Sequence, residues 1–545
     1  MAICVAFVTL LAAAQSNSDD HLWVVRASTE HQPSRFAYRR NAMRKYGLYK
    51  GPTGPPPAPD PSSPRAALDE DTITGSVTRV LRSGLTLNTY ISTHSRPKAI
   101  QQLIDSQIEK YTTQYGKDAV TVKRSGDAVS IYTDGGSWNE GGTTFSSPAW
   151  ENHYRFNNGV FATAAGLDTR RHLRGLDFEA LKSALLSSKG KDSYVRYLPD
   201  STDAARIERF RKTFSVRRNF GFPPQLDWLV SDETGARLEP YFKDIQSAEM
   251  WTKLPKEGSP YRLEFTLQAR PESPLAKLLS GLRPATLIRP AQSEAIGQAI
   301  VNLRVSDEIR FLVEDVVANI LPDDSLLADA LTSQDSLAIT CLLGGPEPAT
   351  VLRGQAFASI ASSELMNLVR TLQNVKPSDS GVSAIVTPTF VGQEFDKQRV
   401  QFVSKDKQLL FALGPVGTPV LPGADATTTA ATKGDITVAE LALDLADWIK
   451  ADEDSAVDKL VHGLETVFMR GWVRARTIEQ LRERGADPNN FEDINYRSLR
   501  ARAKATGDWR VQFSVTVNPS GRLKVRCSVG QELHEFIMVR ANTLE

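Results

Sequence analysis

Apolar residues recur at helical spacing along 96–115. Ile100, Leu103, Ile104, Ile108 and Tyr111 share one face, and Pro97 stands where a first helical turn accepts proline. That pattern predicts an amphipathic helix. Residues 86–92 are rich in β-formers and predict a strand before it. After it, two alternating runs, 119–124 and 128–133, flank Ser125-Gly126-Asp127, which reads as a hairpin. A second hairpin is predicted from 150–156 and 160–165 around Asn157-Asn158-Gly159, because Asn-Gly supplies the positive φ that a tight turn needs. Residues 177–187 predict a short helix. Between these elements, 134–142 (DGGSWNEGG) reads as a glycine-rich loop whose amides would suit an anion.

The second half carries longer apolar stripes. Ile296, Ile300, Leu303, Ile309, Leu312, Val313, Val316, Val317 and Ile320 predict helix over 291–321, stopped by Pro322. Shorter helices are predicted at 325–331 and 355–373. Strands are predicted at 337–343, 382–390, 399–403 and 408–412, and a loop or linker over the Gly/Pro/Thr/Ala-rich 414–432. Thr437, with Glu440 three residues on, has capping-box spacing and predicts a helix over 436–450. Another helix follows at 455–484. The chain then reads as a β-meander: 509–517, the turn Asn518-Pro519-Ser520-Gly521, 522–529 and 535–540. The expected fold class is therefore mixed α+β, multidomain, with antiparallel sheets and meanders and several amphipathic helices.

Proline sets the domain plan. Seven of the fourteen residues from Gly51 to Pro64 are proline. Such a run lacks N–H donors and disfavours helix, so it reads as an extended linker. The expected organisation is an N-terminal arm over 1–50, the linker over 51–65, a hairpin-rich α+β domain over 66–290, an α+β domain over 291–423, and a helical segment leading to the C-terminal meander over 424–545. The apolar run 2–14 is too short for a membrane-spanning helix and has signal-peptide length, although no Lys or Arg precedes it. If it is cleaved the chain is exported; if retained, a virion-like assembly or the cytoplasm is expected. Its rival reading is a buried strand, followed by a second strand through HLWVVRA. No stable transmembrane anchor is expected.

The formal net charge of +1 over 545 residues gives no global field for nucleic acid or membrane, so local clusters must carry any such contact. The three cysteines, Cys4, Cys341 and Cys527, make no C-x-x-C pair, and the seven histidines include no i, i+4 pair. Neither a zinc site nor a metal-hydrolase motif is present. There is no Walker A, no nucleophile elbow, no dinucleotide fingerprint and no kinase set. No catalytic residue, metal or cofactor is assigned.

Two basic, aromatic segments remain. Residues 35–50 contain Arg35, Arg39, Arg40, Arg44, Lys45 and Lys50, no acid, and Phe36, Tyr38, Tyr46 and Tyr49. Residues 206–222 contain Arg209, Arg211, Lys212, Arg217 and Arg218. Cations neutralise phosphates and release counterions, and aromatic faces stack on bases. The residues expected to contact nucleic acid, RNA in preference to DNA, are Arg35, Arg39, Arg40, Arg44, Lys45, Arg209, Arg211, Lys212, Arg217 and Arg218. With the missing catalytic signatures, this points to a non-enzymatic, self-assembling structural protein, a homo-oligomer of the viral shell or capsid-subunit kind. An exported binding protein is the alternative.

A third reading comes from Ser83-Gly84, Asn88, Ser92 and then Gly126-Asp127. Their spacing resembles motifs B and C of viral RNA-dependent RNA polymerases. The second motif C aspartate is replaced by Ala128, and the stretch that would carry the motif A aspartate reads Val24-Val25-Arg26-Ala27-Ser28. The resemblance therefore implies a degenerate polymerase-like module without its metal ligands.

Overall fold

The computed structural model describes residues 23–28, 38, 41–42, 73–80, 86–94, 97–134, 136–140, 143–147, 149–165, 173, 176–198, 232–256, 258–289, 297–307, 309–310, 336–343, 352–358, 376–378, 381–386, 389–390, 393–394, 398–405, 408–415, 427–444 and 507–535. These fall into two compact units, one formed by 14–209 with 247–253, the other by 1–13, 210–246 and 254–545.

The first unit is a nine-stranded, wholly antiparallel sheet. Its strands are β1 (Trp23–Ser28), β2 (Thr74–Val80), β3 (Thr86–Thr93), β4 (Val120–Ser125), β5 (Ala128–Thr133), β8 (Trp150–Asn157), β9 (Val160–Ala165), β10 (Ser193–Leu198) and β11 (Ile245–Lys253). Their order across the sheet is β4-β5-β8-β9-β3-β2-β1-β10-β11. A separate hairpin is made by β6 (Gly136–Glu140) and β7 (Thr143–Ser147). The stretch read as an anion-cradling loop thus spends its backbone on that ladder.

Both predicted turns form. Gly126 has φ +58°, and Asn158 and Gly159 have φ +49° and +75°, the all-positive pair of a type I′ turn. Helix α1 (Pro97–Tyr115) lies where Pro97 and the apolar stripe placed it. Helix α2 (Phe178–Ser187) is capped by Asp177, whose carboxylate accepts from Ala180 N at 3.0 Å.

Side chains alternate across a strand, so each sheet face has its own core. Val129, Ile131, Tyr154 and Phe161 cluster with Ile100 and Ile104 of α1. The intervening residues Val160, Ala162 and Ala164 cluster instead with Ile91, Val77 and Leu181, Ala184 and Leu185 of α2.

The second unit holds an eleven-stranded antiparallel sheet. Its strands are β12 (Tyr261–Ala269), β14 (Gly297–Arg304), β15 (Ser336–Leu343), β16 (Leu352–Ala358), β17 (Lys376–Ser378), β18 (Gly381–Val386), β21 (Gln398–Lys405), β22 (Gln408–Pro415), β24 (Ile436–Asp444), β25 (Arg510–Val517) and β26 (Arg522–Val529). They run β12-β26-β25-β24-β14-β15-β16-β22-β21-β18-β17. Two small pairs join β13 (Thr286–Arg289) to β23 (Thr427–Ala430), and β19 (Thr389–Phe390) to β20 (Gln393–Glu394). Helices α3 (Asp232–Phe242) and α4 (Pro274–Gly281) belong to this unit, and α4 packs on β26.

The expected α+β class is corrected. The described chain has 26 strands against four α-helices, and its sheets are antiparallel and sandwich-like. Three predicted helices are the cause. Within 291–321, residues 297–304 form β14. Within 355–373, residues 355–358 lie in β16. Within 436–450, residues 436–444 form β24. Each inserts between two strands and gains a ladder on both edges, which outweighs a weak helical propensity. Thr437, read as an N-cap, instead sits beside a register shift between Thr437 and Ala439. The loop expected over 414–432 contains β23. Residues 531–535 are helical, and the strand expected over 535–540 lies, apart from Glu535, outside the described residues. The helices predicted at 325–331 and 455–484 lie outside the described residues.

Candidate functional site

The ten cations expected to contact nucleic acid, Arg35, Arg39, Arg40, Arg44, Lys45, Arg209, Arg211, Lys212, Arg217 and Arg218, lie outside the described residues. Within the first segment, Tyr38, Asn41 and Ala42 are described, and Asn41 is exposed. Tyr38 and Ala42 are helical and buried, at 9% and 3% exposure. This piece of the arm packs against protein, so Tyr38 does not offer a free stacking face.

Gly126-Asp127 does occupy a hairpin tip. The Asp127 carboxylate accepts from Arg155 Nε at 2.8 Å and from Asn157 Nδ2 at 3.0 Å, so it is spent on a structural pair. The strand carrying Arg26, β1, is separated from β5 by β8, β9, β3 and β2. The sheet does not bring the two polymerase-like segments together. Among the described residues, no group of three or more His, Cys, Asp or Glu could hold a metal ion.

One constellation was missed by motif reading. His153 on β8 contacts Ser130 Oγ on β5 through Nδ1 at 2.8 Å, and Glu151 Oε2 through Nε2 at 2.8 Å. Tyr132 packs edge-on against the imidazole, with ring centroids 5.8 Å apart. Register explains the geometry: Ser130 is directly opposite His153, and Glu151 lies two residues away on the same face. A serine, a histidine and a carboxylate in series suggest nucleophile activation. However, His153 is 2% exposed and Ser130 7%, so the pair is buried between the strands. The network satisfies buried polar groups and ties β5 to β8.

A second feature lies on the other unit, where β12 pairs with β26 of the C-terminal hairpin β25–β26. Phe265, Leu267 and Ala269, Leu523 and Val525, and Val515 and Val517 face inward, each at 3% exposure or less. Alternation then puts Arg262, Glu264, Thr266 and Gln268 on the outward face of β12, and Arg522, Lys524 and Arg526 on that of β26. Gln512, Ser514 and Thr516 continue that face on β25. Arg526 Nε donates to Glu264 Oε2 at 2.9 Å, Lys524 Nζ stands 3.9 Å from Glu264 Oε1, and Arg522 Nε donates to Gln268 Oε1 at 3.3 Å. Four cations thus share the face with one carboxylate, which pairs with two of them, Arg526 and Lys524. The alternation of Arg522-Leu523-Lys524-Val525-Arg526 was a readable signal for this face.

Nearby, Cys527 is a free, partly buried thiol. Burial pushes its titration up to about 11. A cleft of about 10 Å³, lined by Leu287, Arg289, Ile300, Asn302 and Thr437, has room for no more than a single water. No described helix is long and apolar enough to cross a membrane. No family model matches the chain, and neither does any curated protein or solved structure.

Proposed function

We propose that the chain is a non-enzymatic structural protein that assembles with copies of itself and contacts nucleic acid, as a viral shell subunit does. The observation that carries this reading is the pair of basic, aromatic segments at 35–50 and 206–222 in a chain of near-zero net charge.

Light scattering on a sizing column tests the proposal, with the 260/280 nm absorbance ratio read across the peak. A large assembly carrying nucleic acid is the expected result. A monomer near 60 kDa, free of nucleic acid, would refute it and favour the exported binding protein.

A further inference from the structure

We infer that the outward face of β12 and β26 is a phosphate-backbone binding surface, and that its occupant is nucleic acid held through its phosphates without sequence preference. This rests on the nucleic-acid reading above and names a surface for it beyond the basic segments.

The charge arrangement argues for a polyanion. Arg262, Arg522, Lys524 and Arg526 stand against Glu264, a net of +3 on two adjacent strands. A strand rises about 3.3 Å per residue, so Arg522, Lys524 and Arg526 are spaced about 7 Å apart over about 13 Å. That is a row of cations along one line, suited to a chain of phosphates. Arg262 and Arg522 are exposed and the Arg526 side chain is 56% exposed, while Lys524 between them is 19% exposed and contributes charge more than contact. Arg526 and Arg522 each use Nε for their protein partner, one of five guanidinium donors. The planar fork fits phosphate oxygens in pairs.

Flanking acids do not cancel the row. Glu440 is held by Arg289 at 3.5 Å, Asp508 by Arg510 at 2.8 Å, and Asp444 faces Arg510. The outward positions of β12, β25 and β26 carry Thr266, Gln268, Gln512, Ser514, Thr516 and Ser528 and no aromatic ring. Without stacking platforms or a groove, such a face reads charge and not bases.

Glu264 makes the inference specific. It neutralises Arg526 and partly Lys524 in the free protein, so it competes with phosphate for both. Removing its charge should strengthen RNA binding, which a purely structural ion-pair ladder would not do.

The test uses the full chain and a fluorescein-labelled 20-nucleotide oligouridylate, followed by anisotropy between 50 and 200 mM KCl. Single-strand binding has a salt slope of about −0.7 per phosphate neutralised. The triple change Arg262→Gln, Arg522→Gln and Arg526→Gln should flatten the slope by about 2 and weaken binding about 100-fold at 0.1 M salt. Glu264→Gln should tighten binding several-fold and steepen the slope. If the triple variant fails to fold, Glu264→Gln decides alone. A triple variant that binds like the parent, or a Glu264→Gln variant that binds more weakly, overturns the inference while leaving the function reading intact. A parent chain that binds no RNA overturns both. Poly-glutamate competing as well as the RNA would reassign the face to an acidic protein and overturn the inference.

Discussion

Gly521 ends the turn between β25 and β26 with φ +73°. A Cβ at this position would lie 2.8 Å from Ala276 Cβ, 2.9 Å from Ala276 Cα and 3.3 Å from Ala269 Cβ. Gly521→Ala therefore carries two penalties. An L side chain in the left-handed region costs about 1–2 kcal/mol. Crowding the backbone of α4, which cannot rotate away as a side-chain tip would, costs about another 1–3 kcal/mol. The sum is about 2–5 kcal/mol. Gly258, in the same unit, isolates the first penalty. Its φ is +74°, and nothing lies within 4 Å of the added Cβ. Gly258→Ala should cost only about 1–2 kcal/mol. Asparagine separates the two further, because it tolerates the left-handed region yet keeps a Cβ. Gly258→Asn should be nearly neutral, and Gly521→Asn should remain destabilising. Urea unfolding followed by far-UV circular dichroism gives the midpoints, with the slope checked for constancy. If Gly521→Ala is no more destabilising than Gly258→Ala, the close packing of this turn on α4 is refuted.

Further outcomes follow from the cores and the titratable groups. Leu185 is fully buried on α2, so Leu185→Ala should destabilise the first unit by about 2–5 kcal/mol, measured by the same unfolding assay; a cost under about 1 kcal/mol would contradict its placement. With Cys4 and Cys341 changed to serine, Cys527 should react with a disulfide reagent at pH 8 on the order of 100-fold more slowly than free cysteine, because a thiol titrating at about 11 holds that much less thiolate; equal rates would show an open thiol. The Arg510 hydrogen bond holds the Asp508 carboxyl below its usual range. Its contribution is present above the unfolded-state value and is lost as pH falls through the folded-state value. Arg510→Gln should return Asp508 toward the ordinary range in a carbon-13 NMR titration, with a stability loss below about 1 kcal/mol because the pair is partly exposed.

Local chemistry made several elements legible. Asn158-Gly159 could be placed in a turn because two successive positive φ values favour those residues. Pro97 and the 3.6-residue stripe located α1, and Asp177 located α2. The strands β14, β16 and β24 were not legible, for a different reason. Residues 436–444 (ITVAELALD) fit both a helical stripe and a period-two alternation, because Ala, Leu and Glu are tolerated in either. Only the arrival of β14 on one edge and β25 on the other selects the strand.

The candidate site divides in the same way. Arg522, Lys524 and Arg526 lie at i, i+2 and i+4, so the sequence alone places them on one face of a strand. Glu264, which tempers two of those charges, is 262 residues from Arg526, and nothing local pairs them. The same holds for Ser130 and His153, which became partners only through the register of β5 on β8. Turns, caps and alternation act over a few residues, and the sequence determines them by itself. Which strands become neighbours, and therefore which charges share a face and which polar groups are sealed from solvent, is decided by burial and pairing between distant segments. That is where the tertiary structure made the difference.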